Sequence, residues 1–214
     1  MVHYAADVRT LVDNYRDWLN LGPGGLPANP VGWVITTALR PLGRDPMTVR
    51  GIRTAPTPAW DLPVRSGPRP PVAPFPIPHR QTADVADDVT TSAISEVVES
   101  CAADRRMFMQ RSHFERRGQA LFVREGFRTV ERVKTARGEI AHVHSGDGSL
   151  HVVADPADAQ LIIEQGWGEL HPLAGRPLLG LPESYVLLYS PRNDEDLRQL
   201  STIVRRVVST AMPK

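Results

Sequence analysis

Three of the seven histidines in the chain, His142, His144 and His151, lie within ten residues of one another. Crowded imidazoles disfavour one another's protonation, which keeps some of them neutral near pH 7 and able to act as bases. Neutral imidazole nitrogens are also good ligands for transition metals. The spacing therefore indicates general-base chemistry or a metal site, and the alternative is a solvent-facing strand with incidental histidines.

The three histidines lie on a predicted β-hairpin, with strands at 139–144 and 149–154 on either side of four turn residues. Because side chains alternate along a strand, His142 and His144 share one face. A turn centred on Gly146-Asp147 would set His151 opposite His142, and a turn one residue later would set it opposite His144. Either register places all three imidazoles on one face. A three-residue loop or a bulge would instead turn His151 to the apolar core face, because a one-residue slip in the pairing reverses every side chain.

A fourth candidate, His171, lies in a predicted loop, where functional residues often occur. Metal binding is only weakly indicated, because the chain has no H-E-x-x-H sequence; the ligands of a metal would be His142, His144 and His151. The one cysteine, Cys101, excludes an internal disulfide and a cysteine-based zinc site, and it fits a reducing compartment. The chain also lacks a glycine-rich phosphate loop and a G-x-S-x-G nucleophile motif.

The elements that must position these residues follow the order typical of an α+β domain. In the helix predicted over 82–104, the apolar stripe is Val85, Val89, Ala93, Val97 and Cys101. The expected fold is an antiparallel sheet with helices packed mainly on one face, plus a proline-rich N-terminal strap. The pattern predicts helices over 5–20, 31–42, 82–104, 156–165 and 193–211, and strands over 120–124, 139–144, 149–154 and 184–190.

Prolines are unevenly distributed, with fourteen of the twenty between residues 23 and 78 and none between 79 and 155. Each proline fixes φ and removes a hydrogen-bond donor, so residues 68–78 should be extended. Trp60, Phe75 and Ile77 are apolar residues that a free linker would rarely need. We therefore expect one compact unit, in which an N-terminal helix and proline-rich strap (1–80) pack on a body formed by 81–214.

The charge balance argues against a nucleic-acid partner, because 25 Lys and Arg against 24 Asp and Glu leave a formal charge of +1. The most apolar stretch, 31–42, is far shorter than the roughly 20 residues that span a bilayer, so no transmembrane anchor is expected. That stretch predicts a short buried helix or a lip that contacts a membrane or an apolar ligand. The acidic and basic residues of the first helix exclude a signal peptide, which favours a cytoplasmic location. The oligomeric state is not indicated.

Several motifs resemble the fungal luciferase family in order and spacing, most strongly over about 139–210. Weaker similarity runs through the N-terminal part, including Trp18, Gly32-Trp33 and His79-Arg80-Gln81. The motifs are Glu139–His144, Ser149-Leu150-His151, Gly166-Trp167-Gly168, His171–Gly175 and Leu188–Asn193.

Membership of that family implies an oxidoreductase that oxidises 3-hydroxyhispidin, a hydroxylated pyrone, through an endoperoxide-type intermediate that loses carbon dioxide. It implies molecular oxygen as co-substrate and no organic cofactor. The chain lacks the N-terminal transmembrane anchor of the light-emitting members and resembles their soluble, bacterial-type homologues, so the substrate is not carried over with the fold. We expect a luciferase-like α+β domain and an oxygenase for a small enolisable, pyrone- or phenol-like compound. The alternatives are a non-catalytic small-molecule-binding protein and a metal-dependent enzyme.

The same resemblance implies the site residues. Deprotonation of an enol needs a neutral histidine as general base, and His142 or His144 is the favoured one. Three candidate substrate-binding residues have structural alternatives. Trp167 fills the core, Tyr189 is buried in a strand, and Arg192 braces the last helix in those alternatives. The strand parity of Glu139 predicts that it faces away from the histidines. The candidate catalytic residues are His142, His144, His151 and His171, and the candidate substrate-binding residues are Glu139, Trp167, Tyr189 and Arg192.

Overall fold

Six strands form one antiparallel sheet in the order β1-β2-β3-β4-β6-β5. The computed structural model describes residues 2–48, 60–176 and 179–212, with side chains from residue 10 onward. The strands are β1 Met107–Arg111, β2 Gln119–Val123, β3 Glu139–Val143, β4 Leu150–Val153, β5 Gly168–Leu170 and β6 Tyr185–Leu188. The helices are α1 Val2–Asn20, α2 Pro30–Leu39, α3 Asp88–Ser100, α4 Glu131–Thr135, α5 Pro156–Glu164 and α6 Asp194–Thr210.

Capping residues in the sequence occur at the positions where these helices begin in the structure. Asp155 caps α5 by accepting a hydrogen bond from the backbone N–H of Ala157, and Pro156 occupies the first helical position. Asp87 and Asn193 cap α3 and α6 in the same way through their side-chain oxygens. The predicted start of α5 is therefore confirmed in detail.

One face of the sheet, which we call the apolar face, packs against α3, α5 and α6. Burial of this face supplies the main hydrophobic contribution to folding, because the removed surface is almost wholly apolar. The α+β class, with an antiparallel sheet and helices mainly on one face, is thus confirmed. The sheet contributes Leu121, Val123, Ile140, Ala141, Leu150, Val152, Val186 and Leu188 to this core, and the helices contribute Ile94, Val98, Ile162, Leu200, Ile203, Val204 and Val207.

The predicted stripe of α3 is wrong in its register. The helix begins at Asp88, so Val85 precedes it, and Val89 is 78% exposed. The buried residues are Ile94 and Val98, one position beyond the predicted stripe. Cys101 is half-buried, packs against the core and donates its thiol hydrogen to the carbonyl of Val97. The error arises because a four-residue repeat drifts around a helix of 3.6 residues per turn.

The described part of the proline-rich region, residues 60–81, contacts the helices α1 and α2 and the strand β5. Trp18 Nε1 donates to the carbonyl of Ile77 at 2.8 Å, and the N–H of Ile77 donates to Thr36 Oγ1 at 3.2 Å. Arg69 donates to the carbonyls of Gly168 and Ile163. Residues 49–59 lie outside the described residues, so the strap as a whole and the division of the chain at residue 80 stay predictions.

Candidate functional site

The hairpin pairs His142 directly with His151. This is the register expected for a turn centred on Gly146-Asp147, although the connection spans four residues and is closed by a Gly148 N–H to His144 carbonyl bond of 2.9 Å. The side chains of His142, His144 and His151 are buried, with residue exposures of 2%, 2% and 3%. Such burial contradicts the alternative of incidental histidines on a solvent-facing strand.

Glu139 lies beside these histidines, against the expectation from strand parity. The pairing of β2 with β3 shifts between Leu121 and Phe122, so that Phe122 pairs with Glu139 while Leu121 pairs with Ala141. This bulge adds Ile140 to β3, and one extra residue reverses the face of the residue beyond it. Glu139 Oε1 consequently accepts a hydrogen bond from His142 Nδ1 at 2.7 Å.

Hydrogen bonds fix the ring orientation of the two histidines of β3 and its turn. Glu139 also accepts from Ser112 Oγ and from the His113 N–H, and these bonds hold the pKa of its carboxyl below the usual value although burial opposes ionisation. His144 Nδ1 lies 2.9 Å from Ser149 Oγ, whose hydroxyl donates to Asp147 Oδ1 at 2.7 Å. Both imidazoles therefore direct Nε2 inward.

A line of contacts continues from His144 to a second carboxylate. His144 Nε2 lies 3.1 Å from His151 Nδ1, and His151 Nε2 lies 3.2 Å from His79 Nδ1. His79 Nε2 lies 3.0 Å from Glu169 Oε1, and the hydroxyl of Tyr189 donates to Glu169 Oε2 at 2.8 Å. The line crosses from the hairpin to residues 60–81 and to β5, three segments that are remote in sequence.

His171 and Tyr185 complete the group of rings. Tyr185 stacks on His151 with 4.6 Å between ring centroids, and His171 meets His79 edge to face at 4.9 Å. His171 Nδ1 accepts the N–H of Leu173 at 3.1 Å, so its orientation is set by the backbone. We define the histidine cluster as His79, His142, His144, His151 and His171.

Burial and mutual repulsion keep much of the cluster uncharged. The pKa of His151 lies well below its ordinary value because of desolvation and the neighbouring imidazoles, and the pKa of His171 is lowered in the same way. Desolvation and Arg80 lower the pKa of His144. Desolvation and nearby carboxylates raise the pKa of Tyr185. His144, His151 and His171 thus present neutral imidazoles, which is the form that accepts protons or metal ions.

Glu115 approaches the cluster from the loop between β1 and β2. Its Oε2 accepts from Arg80 at 2.8 Å, and its Oε1 lies 3.6 Å from His144 Nε2 and 4.0 Å from His142 Nε2. His142 Nε2 is buried and has no hydrogen-bond partner among the described residues. Two groups of residues could hold a metal, because the ligand atoms within each group lie within 4.8 Å of one another. The first group is Glu115, His142, His144 and His151, and the second is His79, His151 and His171.

A cavity of about 210 Å³ adjoins the cluster. Its lining combines apolar residues with polar ones, and the polar ones are His79, His113, Glu115, Arg116, His151, His171 and Tyr185. A cavity with apolar and polar lining groups suits a small organic ligand that has a polar edge. The apolar lining residues include Leu26, Ile77, Phe114, Leu179 and Leu181.

Two predicted binding residues lie elsewhere. Trp167 packs in the core of the apolar face and donates Nε1 to the carbonyl of Pro63 at 2.7 Å. Arg192 donates Nε to Asp196 Oδ2 at 2.7 Å at the start of α6. These placements agree with the structural alternatives for both residues. Of the other six predicted residues, four belong to the cluster: His142, His144, His151 and His171. Glu139 bonds to His142, and Tyr189 bonds to Glu169, which in turn contacts His79.

Four residues of the site were missed by the sequence reasoning: His79, Glu115, Glu169 and Tyr185. His79 stands in one of the weaker resembling motifs, and Glu169 stands between Trp167 and His171, so both carried a signal. Tyr185 lies two residues from Leu187 on the strand that pairs with β4, which places it on the histidine face. Glu115 lies outside the regular elements, and no pattern places it.

Comparison with known proteins gives one family. A family model described as a luciferase domain matches residues 137–207. The luciferase of Neonothopanus nambi is 29% identical over 206 residues, which cover 89% of this chain and 77% of that protein. The luciferases of Armillaria ostoyae and Armillaria mellea are each 27% identical over 208 residues, with the same coverage. No solved structure matches significantly. Across the described ranges, no helix combines the length and apolar character needed to cross a membrane.

Proposed function

We propose that this chain, which matches a luciferase-domain model over residues 137–207 and is similar to fungal luciferases, is an oxygenase that joins molecular oxygen to a small enolisable compound of pyrone or phenol type. The observation that carries the proposal is the buried histidine cluster, three members of which, His79, His151 and His171, line a cavity. An enol must lose its proton before its electron-rich carbon can react with oxygen, and a neutral imidazole is a suitable acceptor.

The proposed reaction begins when an imidazole takes the enol proton. The electron pair of the resulting enolate then forms a carbon–oxygen bond to dioxygen, which is reduced to the peroxide level. Both oxygen atoms stay on the substrate carbon, and the proton returns to the distal oxygen. The substrate is oxidised by two electrons and no external reductant is needed, so oxygen is the co-substrate and no organic cofactor takes part.

In the metal-free form of this mechanism the base is His142 or His144, which lie behind the cavity-lining His151. His144 Nε2 lies 3.1 Å from His151 Nδ1, so the enol proton passes to the base through the His151 ring. Each candidate base has its Nδ1 held by an acceptor, Glu139 for His142 and Ser149 for His144, so that Nε2 carries the basic lone pair. Glu139 is then a positioning residue, as is Tyr189, which holds Glu169 against His79. His151 and His171 line the cavity and would contact the bound compound. The single cysteine remains our reason to propose a cytoplasmic setting.

Oxygen consumption tests the proposal directly. The purified chain is offered 3-hydroxyhispidin, simpler hydroxypyrones and catechols, and uptake is followed with an oxygen electrode. A general base contributes about 10²- to 10⁴-fold, so His142→Gln and His144→Gln together should lower kcat by about 100-fold or more. Thr202→Ala, which changes an exposed residue of α6 outside the cavity lining, is the control.

Two outcomes would contradict the proposal. If the compounds bind but no oxygen is consumed, the chain is a small-molecule-binding protein of the same fold. If oxygen is consumed at the same rate after both substitutions, the histidine cluster does not take the proton.

A further inference from the structure

We propose that the histidine cluster binds one divalent first-row transition-metal ion through His142 Nε2, His144 Nε2, His151 Nδ1 and Glu115 Oε1. The inference deepens the proposed function and rests on the same site, but binding of the ion requires no substrate. Three imidazoles and one carboxylate form a nitrogen- and oxygen-donor set that suits zinc, iron, cobalt or copper.

The spacing of the four atoms fits a single ion. His144 Nε2 lies 3.1 Å from His151 Nδ1, and Glu115 Oε1 lies 3.6 Å from His144 Nε2 and 4.0 Å from His142 Nε2. Ligands about 2.1 Å from a tetrahedral ion are separated from one another by about 3.4 Å. All four ligand atoms lie within 4.8 Å of one another, so an ion would bind after modest movements of these side chains.

The outer hydrogen bonds are those of a metal site. Metal-binding histidines usually donate their second ring N–H to a carboxylate or another fixed acceptor, which orients the ring and raises its basicity. His142 does so to Glu139, and His144 does so to Ser149, which is itself held by Asp147. Arg80 holds the other oxygen of Glu115, so that Oε1 is left facing the histidines.

A count of protons along the cluster gives an independent argument. The line of contacts runs through Glu169, His79, His151, His144, Ser149 and Asp147. Each of its five contacts needs one proton, but three neutral imidazoles and one hydroxyl supply only four. With both end carboxylates ionised, one of the five contacts must lack a proton, so that two lone pairs face each other there. The line is therefore one positive charge short.

That missing charge could be a proton or a metal ion, and His142 decides between them. A proton shared by His144 and His151 would leave His142 Nε2 buried without a hydrogen-bond partner, and an unsatisfied buried polar atom is destabilising. It would also leave Glu115 Oε1 beside the histidines without a bond to them. One ion between the four atoms supplies the charge and satisfies all of them at once.

The second group of possible ligands, His79, His151 and His171, is a poorer site. His171 Nδ1 already accepts the N–H of Leu173, and the group contains no carboxylate. His151 Nε2 and His79 Nδ1 already face each other at 3.2 Å, as a hydrogen-bonded pair. We therefore place the ion on the Glu115 side of His151.

The ion changes what the histidines do. With the ion bound, His142 and His144 would serve as ligands and would not act as bases, and the cation would supply positive charge that stabilises a nearby enolate. The reaction class of the proposed function is the same in either case.

The experiment measures metal directly on the full chain, prepared without a histidine tag after growth in medium supplemented with zinc, iron, manganese, cobalt and copper. Elemental analysis should find about one transition ion per chain. Removal of the ion with a chelator should lower Tm, and titration with Zn²⁺ or Co²⁺ should restore it, because the ion binds the folded chain.

Substitutions at the ligands and at their supporting residues should weaken metal binding to different extents. His142→Gln and His144→Gln should abolish stoichiometric metal, and Glu139→Gln should weaken binding by about 10- to 100-fold through loss of ring orientation. Glu115→Gln keeps a bond to Arg80 and is the variant least expected to disturb folding, which circular dichroism checks. His113→Ala is the control and should bind metal as the original chain does.

The proposal is overturned if the chain contains no transition metal and neither Zn²⁺ nor Co²⁺ changes Tm, or if Glu115→Gln and His142→Gln fold and retain full affinity. The two proposals fail separately. Metal without oxygen consumption removes the proposed function alone, and oxygen consumption by a chain that binds no metal removes the metal site alone.

Discussion

Leu150 and His151 are neighbours in β4, yet they project into opposite environments. Leu150 is fully buried in the core that α3 and α6 cover, while His151 is held among four other imidazoles and a tyrosine ring. Both side chains are nearly inaccessible, so burial alone does not distinguish the two faces. The two faces differ in the kind of interaction that their residues must make.

The apolar face needs only volume and hydrophobicity, since its contacts are non-directional and residues of similar size are interchangeable at small cost. The histidine face needs each donor to meet an acceptor, and a buried polar group left alone is costly. The buried Nε2 of His142, which has no hydrogen-bond partner among the described residues, lowers the stability of the fold. Burial of the apolar face offsets that loss. The fold thus separates stability and chemistry onto the two sides of a single sheet.

The largest effect that would sharpen this comparison is on the apolar face. Leu150→Ala should destabilise the chain by about 2–5 kcal/mol, because it removes buried methyl groups and leaves a cavity. Urea unfolding followed by circular dichroism measures the change. Leu11→Ala, at a leucine that is 54% exposed, should stay within about 0.5 kcal/mol. Equal effects of the two substitutions would break the comparison.

A smaller effect is expected on the histidine face. Tyr189→Phe removes the hydroxyl that donates to the buried carboxylate of Glu169, and a hydrogen bond to a charged group contributes about 1.5–3 kcal/mol. Oxygen consumption should fall as well if Glu169 positions His79. Tyr15→Phe, at a half-buried tyrosine whose ring stacks on Trp18, is the matched control. A loss of stability with unchanged activity would limit Tyr189 to a structural role.

The smallest effect concerns pH and the cap of α3, a helix of the apolar face. Hydrogen bonds from the side chain and backbone of Thr90 hold the pKa of Asp87 below its ordinary value. Its contribution to stability is therefore present above the unfolded pKa, near 3.8, and is lost as the pH falls through the folded value. Asp87→Asn keeps the cap without the titrating group, so its unfolding free energy should depend less steeply on pH below about 4. An unchanged slope would show that the cap carries no charge-dependent stability.

Much of the fold followed from local pattern. The hairpin, the cap of α5 by Asp155 and the amphipathic α6 depend on residues close in sequence, and each lies where the pattern predicted it. The strands β1 and β5 were not predicted, because β5 has only three residues and β1 contains no β-branched residue. The stripe of α3 was misplaced because its predicted four-residue repeat drifts around a helix of 3.6 residues per turn.

The sequence by itself determined that His142, His144 and His151 share one face of a hairpin, since strand alternation is a local property. Only the tertiary structure decided that Glu139 joins them, because the bulge opposite Leu121 depends on how β2 pairs with β3. Only the tertiary structure brought His79, Glu115 and Glu169 to the same point, since they come from segments that meet through long-range packing. The chemistry of the site therefore rests on contacts between distant segments, which no spacing along the chain encodes.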